Sequence, residues 1–135
     1  MECIYFSEDD GTAAVEFRRD LAGLPDEFQP VVTYWAEVMI QRALDLTDLT
    51  TVQGLGLDEN ELFAPWRGSK QPTLTQTLGD TLVKHTHITA IRFPSDVAKL
   101  AGLTGNNVVV YRAQVKPPDR VSIVGPTGRK LQTWP

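Results

Sequence analysis

Few residues in this chain combine a reactive group with a setting that could use it. Tyr5 lies in the apolar run Ile4-Tyr5-Phe6, which gives way to Ser7, Glu8, Asp9 and Asp10 and then to a helix carrying Glu16. A carboxylate beside a buried helix face can stabilise a developing positive charge or hold a hydroxyl. An aromatic hydroxyl can stack on a ring while its polar end stays wet. Ser95 follows Phe93-Pro94, where its hydroxyl can serve a ligand or cap the next helix. Asn106 and Asn107 offer amides, and turn formation explains them equally well. His85 and His87 are the only histidines. With no third or fourth ligand near them in sequence, no metal centre is expected, because metal sites need three or four.

The elements that must position these groups can be read in outline. Ile4 to Phe6 is a short strand, Asp9 and Asp10 are natural caps, and Gly11-Thr12 lead into a helix. On a wheel of about 100° per residue, Ala13, Ala14, Phe17 and Leu21 share one arc and Glu16 falls at its border. Gly23-Leu24-Pro25-Asp26 closes that helix. Residues 31–46 alternate over a long stretch with large apolar groups on both faces, which predicts a long central strand. Two short helical pieces follow, near residues 49–53 and from Asp58, where Asp58 and Glu61 can cap each other. Pro65-Trp66-Arg67-Gly68 reads as a packed corner. Thr73-Leu74-Thr75-Gln76 is a capping box opening a helix with Leu74, Leu78 and Leu82 on one stripe, and Gly79 inside it suggests close approach to another backbone. Residues 88–93 are a strand, 97–101 a short helix capped by Ser95, 108–115 the most β-prone run, 121–124 a last strand and 125–135 a turn-rich tail. The mixture lacks strict alternation, so the fold class is α+β.

The length of 135 residues fits one domain, residues 1–135. Apolar residues make up 41% and charged ones 22%, a globular composition. A net charge of −4 with scattered Lys and Arg argues against direct nucleic-acid binding, which needs clustered positive charge. Cys3 is the single cysteine, so no internal disulfide forms and a reducing compartment fits. No apolar run approaches the roughly 20 residues needed to span a bilayer, and the N-terminus lacks a secretory pattern. A soluble cytoplasmic protein without a membrane partner is expected. There is no G-x-G-x-x-G after a strand, no P-loop and no G-x-S-x-G elbow.

Several blocks together resemble the RES-domain family. They are Ile4-Tyr5-Phe6-Ser7-Glu8 with Ala13-Ala14-Val15-Glu16, then Ala43-Leu44-Asp45-Leu46-Thr47-Asp48 with Leu55-Gly56-Leu57, Thr75-Gln76-Thr77-Leu78-Gly79-Asp80, Phe93-Pro94-Ser95, and Gly105-Asn106-Asn107-Val108-Val109. They run in order over nearly the whole chain. The resemblance implies a bacterial toxin of a toxin–antitoxin pair, neutralised by an Xre-type helix-turn-helix antitoxin. It implies an ADP-ribosyltransferase-like mixed sheet with short flanking helices, and NAD⁺ as the substrate, cleaved between nicotinamide and ribose. Water, phosphate or a protein then takes the ADP-ribose.

By that resemblance the catalytic residues are Glu16, Tyr5 and Ser95, and the residues binding the dinucleotide are Tyr5, Ser95, Asn106 and Asn107. Tyr5 would stack on nicotinamide, and Ser95 would donate to a phosphate or to the nicotinamide amide. The family's arginine, placed before the tyrosine strand, has no counterpart here, so an N-terminally short domain is expected. Arg18, Arg19 and Arg92 read as surface cations. The alternative is a RES domain of weak or no activity that binds an antitoxin or itself as a homo-oligomer.

Overall fold

The computed structural model describes residues 2–20, 32–62, 71–72 and 74–135. Leu21, the Gly23 to Asp26 helix stop, the Val31 start of the long strand, the Pro65 to Gly68 corner and Thr73 of the capping box lie outside the described residues. The chain is α+β. In order it forms β1 (Cys3–Ser7), α1 (Asp10–Asp20), β2 (Trp35–Met39), β3 (Ala43–Asp45), α2 (Leu49–Gly54), α3 (Glu59–Leu62), α4 (Leu74–His85), β4 (Ala90–Pro94), α5 (Asp96–Leu100), β5 (Asn106–Tyr111), a 3-10 turn (Arg112–Gln114), β6 (Arg120–Val124) and β7 (Lys130–Trp134).

The strands form two sheets. The first has the order β1-β5-β4-β3 and is mixed, with β3 parallel to β4 and the other pairs antiparallel. The second is antiparallel, in the order β2-β6-β7. Strand alternation sends Val109, Tyr111 and Ile91 to one face of the first sheet, where they pack with Leu46, Val52, Leu62 and Val83 from the α2–α4 side. Val110 and Ala90 point to the other face and pack with Val121 of the second sheet and with Val115. The first sheet is therefore the middle layer, and both of its faces are covered.

Three expectations are corrected. The single long strand over 31–46 is two strands in different sheets: β2 pairs with β6, and β3 pairs with β4. Neither is central, and β2 is largely exposed. The alternation runs through Ile40, Gln41 and Arg42 without glycine or proline, which hides the break. The chain turns there because the Gln41 amide donates to the buried Asp119 carboxylate at 2.8 Å, and Asp119 also accepts from Thr89 Oγ1 at 3.0 Å. The tail is not merely turns, since β7 returns antiparallel along β6 after a turn with Gly128 at φ 79°. Gly79 clears a side chain and not a backbone: a Cβ there would stand 2.7 Å from the Tyr111 hydroxyl.

The capping residues behave as their chemistry dictates. Asp48 accepts from the amides of Thr50 and Thr51 at the start of α2, and Glu61 Oε2 takes the Asp58 amide at 2.9 Å. Ser95 caps α5 by accepting from the Ala98 amide at 3.0 Å. Together these ends fix where the short helices begin.

Candidate functional site

One end of the first sheet gathers the polar side chains. β1 and β4 finish there and β5 begins there, and the backbone is tied by Glu8 N–H to the Asn106 carbonyl at 3.0 Å and by Ser95 N–H to the Gly105 carbonyl at 2.9 Å. Helix α1 leaves β1 and α5 leaves β4, and the two helices pack against each other. Asp9 opens α1 by accepting the Thr12 amide at 2.8 Å and its hydroxyl at 2.7 Å. The Thr12 amide, more than any other group, holds the Asp9 carboxyl below the usual carboxylate range. Thr12 is fully buried, and a Cβ on Gly105 would lie 1.8 Å from its hydroxyl oxygen. Only glycine at 105 lets the helix sit this close to the start of β5.

The face that α1 turns inward differs from the one the wheel selects. Thr12 is buried, and Val15, Glu16 and Arg19 are half-buried, a spacing of i, i+3, i+4 and i+7 on one side of a helix, with Ala13 of the expected arc half-buried beside them. Ala14 is exposed and Phe17 is 40% exposed. Polar tethers set the phase of this helix, because its small apolar residues offer little burial to oppose them.

Glu16 is the centre of those tethers. Its Oε1 accepts from Asn107 Nδ2 at 2.7 Å and from Ser95 Oγ at 2.8 Å, and its Oε2 lies 3.0 Å from Arg19 Nη2. Asn107 is itself held by the Ser7 hydroxyl, which donates to its Oδ1 at 2.9 Å. Ser95 is 2% exposed. Its one proton goes to Glu16 and its lone pair to the α5 cap, so in the free protein it acts on the carboxylate.

Tyr5 shares the Ser7 and Asn107 face of the sheet by strand alternation, but its hydroxyl does not meet Glu16. The phenol is pushed up to about 12, first by desolvation and then by the neighbouring Cys3 thiol and Tyr111. The residue is 68% exposed, and its phenol is protonated at neutral pH. Tyr5 presents a neutral ring to the open side of the strand. Asn106, one residue from Asn107, points to the opposite face and donates to Glu8 Oε2 at 3.0 Å. It belongs to a different group of side chains.

That second group is built on Arg92, which is no free surface cation. Its Nε and Nη2 grip Glu8 at 2.6 and 3.0 Å, and Nη1 reaches Asp45 Oδ2 at 3.0 Å and Thr47 Oγ1 at 2.7 Å. Glu8 is held below the usual carboxylate range by Arg92 above all, with help from Asn106, and burial opposes them. Desolvation alone would raise Asp45, but the bonds from Thr47 and Arg92 outweigh it and lower it. Arg92 is correspondingly pushed up, by the Glu8 bond above all.

Arg19 is also misread as a surface cation. Besides Glu16 it holds Asp96, with Nη1 at 3.2 and 3.4 Å from the two carboxylate oxygens, and its side chain is 30% exposed. An open cleft of about 1720 Å³ runs past β1 and brings Tyr5, Ser7, Glu16, Arg19 and Asn107 to one space, together with Tyr34, Trp35 and Arg92. Periodicity could not have found Tyr34 and Trp35, because alternation reads as strand whether or not a sheet covers it. Among the described residues no group of three or more His, Cys, Asp or Glu is placed to hold a metal ion, and no helix is long and apolar enough to cross a membrane.

A family model described as RES domain matches residues 1–132. No curated protein and no solved structure matches the chain.

Proposed function

The chain belongs to the RES-domain family, and from that premise we propose that it consumes NAD⁺ by breaking the bond between nicotinamide and ribose, as the toxin of a toxin–antitoxin pair. The observation that carries this reading is the Glu16 carboxylate at the wall of the cleft, fixed through Oε1 by Ser95 and Asn107, with Oε2 met by the guanidinium of Arg19.

The chemistry suits such a carboxylate. Nicotinamide leaves NAD⁺ as a neutral base, taking the electron pair of the C1′–N bond, so no acid is needed to protonate it. The cost lies in the positive charge left on the ribose, as in glycoside cleavage. A fixed carboxylate beside C1′ lowers that cost, and more so where water is excluded. Tyr5 supplies a ring for the nicotinamide. Asn107 acts by orienting Glu16. Water, phosphate or a protein nucleophile then captures the ribosyl carbon. An Xre-type helix-turn-helix antitoxin is the proposed partner.

The test is loss of NAD⁺ and release of nicotinamide by the purified protein, with Glu16→Gln alongside. Turnover that is absent, or equal in the two proteins, overturns the reading. A second reading, a binding domain that associates with an antitoxin or with itself, is favoured by the exposed Val32, Tyr34, Trp35, Val38 and Met39 in and before β2. Light scattering decides on self-association: a strictly monomeric protein removes that half of it. Titration with an Xre-type helix-turn-helix protein decides the other half.

A further inference from the structure

A carboxylate that must stabilise a cation is quenched by a guanidinium 3.0 Å away, which is how Glu16 and Arg19 stand in the free protein. Arg19 is nevertheless poorly satisfied. Its bonds to Asp96 are long, at 3.2 and 3.4 Å, and its Nε is buried with no acceptor among the described residues. A buried donor without a partner is an energetic liability that a new acceptor would remove. Arg92, in the same cleft, has every side of its guanidinium engaged by Glu8, Asp45 and Thr47.

Building on the NAD⁺ reading above, we propose that Arg19 is a transferable clamp: it holds Glu16 Oε2 when the cleft is empty and passes to the diphosphate oxygens of the dinucleotide when the substrate binds. Its long contacts with Asp96 loosen in the same movement. The planar fork of an arginine can grip two phosphate oxygens side by side, and a swing that turns Nε outward gives that orphan donor a partner. The same movement returns the full charge of Glu16 to the ribose. Substrate anion and catalytic carboxylate thus exchange one cation, and the carboxylate is at full strength only when a diphosphate is present.

The experiment compares wild type, Arg19→Gln, Arg18→Gln and Asp96→Asn by calorimetric binding of ADP-ribose and pyrophosphate, and by turnover of NAD⁺ against nicotinamide riboside, which has no phosphate. In Arg19→Gln, ADP-ribose affinity is expected to fall tenfold or more and KM for NAD⁺ to rise as much, while turnover of nicotinamide riboside holds or increases. Arg18, exposed in the same cleft, is expected to matter less than threefold. Asp96→Asn removes the competing carboxylate, so pyrophosphate binding is expected to tighten. That variant decides the matter if Arg19→Gln fails to fold.

Unchanged ADP-ribose binding in Arg19→Gln, an equal loss in Arg18→Gln, weaker pyrophosphate binding in Asp96→Asn, or equal loss of both turnovers overturns the proposal. Arg19-dependent ADP-ribose binding without any NAD⁺ turnover keeps the clamp and overturns the activity on which it was built. Turnover with Arg19-independent binding does the reverse.

Discussion

Two arginines stand at the same end of the sheet and face the same cleft, yet they are held differently. Arg92 joins β4 to Glu8 after β1, to Asp45 of β3 and to Thr47 after it with four bonds of 2.6–3.0 Å. Arg19 has one 3.0 Å contact with Glu16 of its own helix, joins α1 to α5 only through two long contacts with Asp96, and leaves its Nε unmatched among the described residues. A saturated guanidinium fastens; an unsaturated one stays available. The type of residue is the same in both, and the completeness of its partners separates framework from working part.

The contrast can be broken from either side, and the largest effect is expected at Glu16. Glu16→Gln keeps an acceptor for Ser95 and Asn107 but removes the charge, and NAD⁺ consumption should fall by roughly a hundredfold or more with little change in thermal melting. Chromatographic assay of nicotinamide release beside a melting curve checks both halves. Gly105→Ala comes next. With Thr12 in the way, it should cost about 1–3 kcal/mol of stability and carry activity down with it, because α1 must lift away and take Glu16 from Asn107. Denaturant unfolding gives the first number, and assay well below the new midpoint gives the second.

Arg92→Gln tests the framework half. Partial exposure limits its cost to about 1 kcal/mol, read by denaturant unfolding. The pH dependence should change too. Glu8 and Asp45 have lowered pKa values in the folded chain, so their contribution is fully present above their unfolded values of about 4 and is lost as the pH falls through the folded ones. Wild-type stability should therefore drop on acidification below about pH 4, and the drop should be shallower in Arg92→Gln. The smallest effect is expected from Ser7→Ala, about 0.5–1 kcal/mol. Its Asn107 amide would be less firmly oriented, which should appear as a modest fall in kcat with KM unchanged.

Much of the site was legible because it sits where elements start and stop. Asp9, Asp48, Asp58 and Ser95 announce helix starts through their own short-range chemistry, and Glu16 stands at a fixed distance after the first of them. The joining of Glu16 to Ser95 and Asn107 could not be read, since it depends on how three elements distant in sequence meet at one sheet end. Arg19 was hidden for a related reason. A wheel weighted by apolar residues puts Ala14 and Phe17 inside, whereas the helix is turned by Thr12 against Gly105 and by Glu16 and Arg19, whose partners include Asn107, Ser95 and Asp96. The split of residues 31–46 escaped because a buried carboxylate on a remote loop, Asp119, turns the chain. β7 escaped because exposed edge strands carry no apolar alternation to betray them.

Ser95 carries a consequence for reading relatives of this chain. One hydroxyl oxygen both starts α5 and steadies Glu16, so two independent pressures act on a single atom. A lineage that abandoned the chemistry would still have reason to keep the serine, because the helix would otherwise lose its cap. Presence of that serine is thus a poor diagnostic of a working enzyme. Its replacement by aspartate would be the informative change, preserving the cap while setting a second negative charge against Glu16.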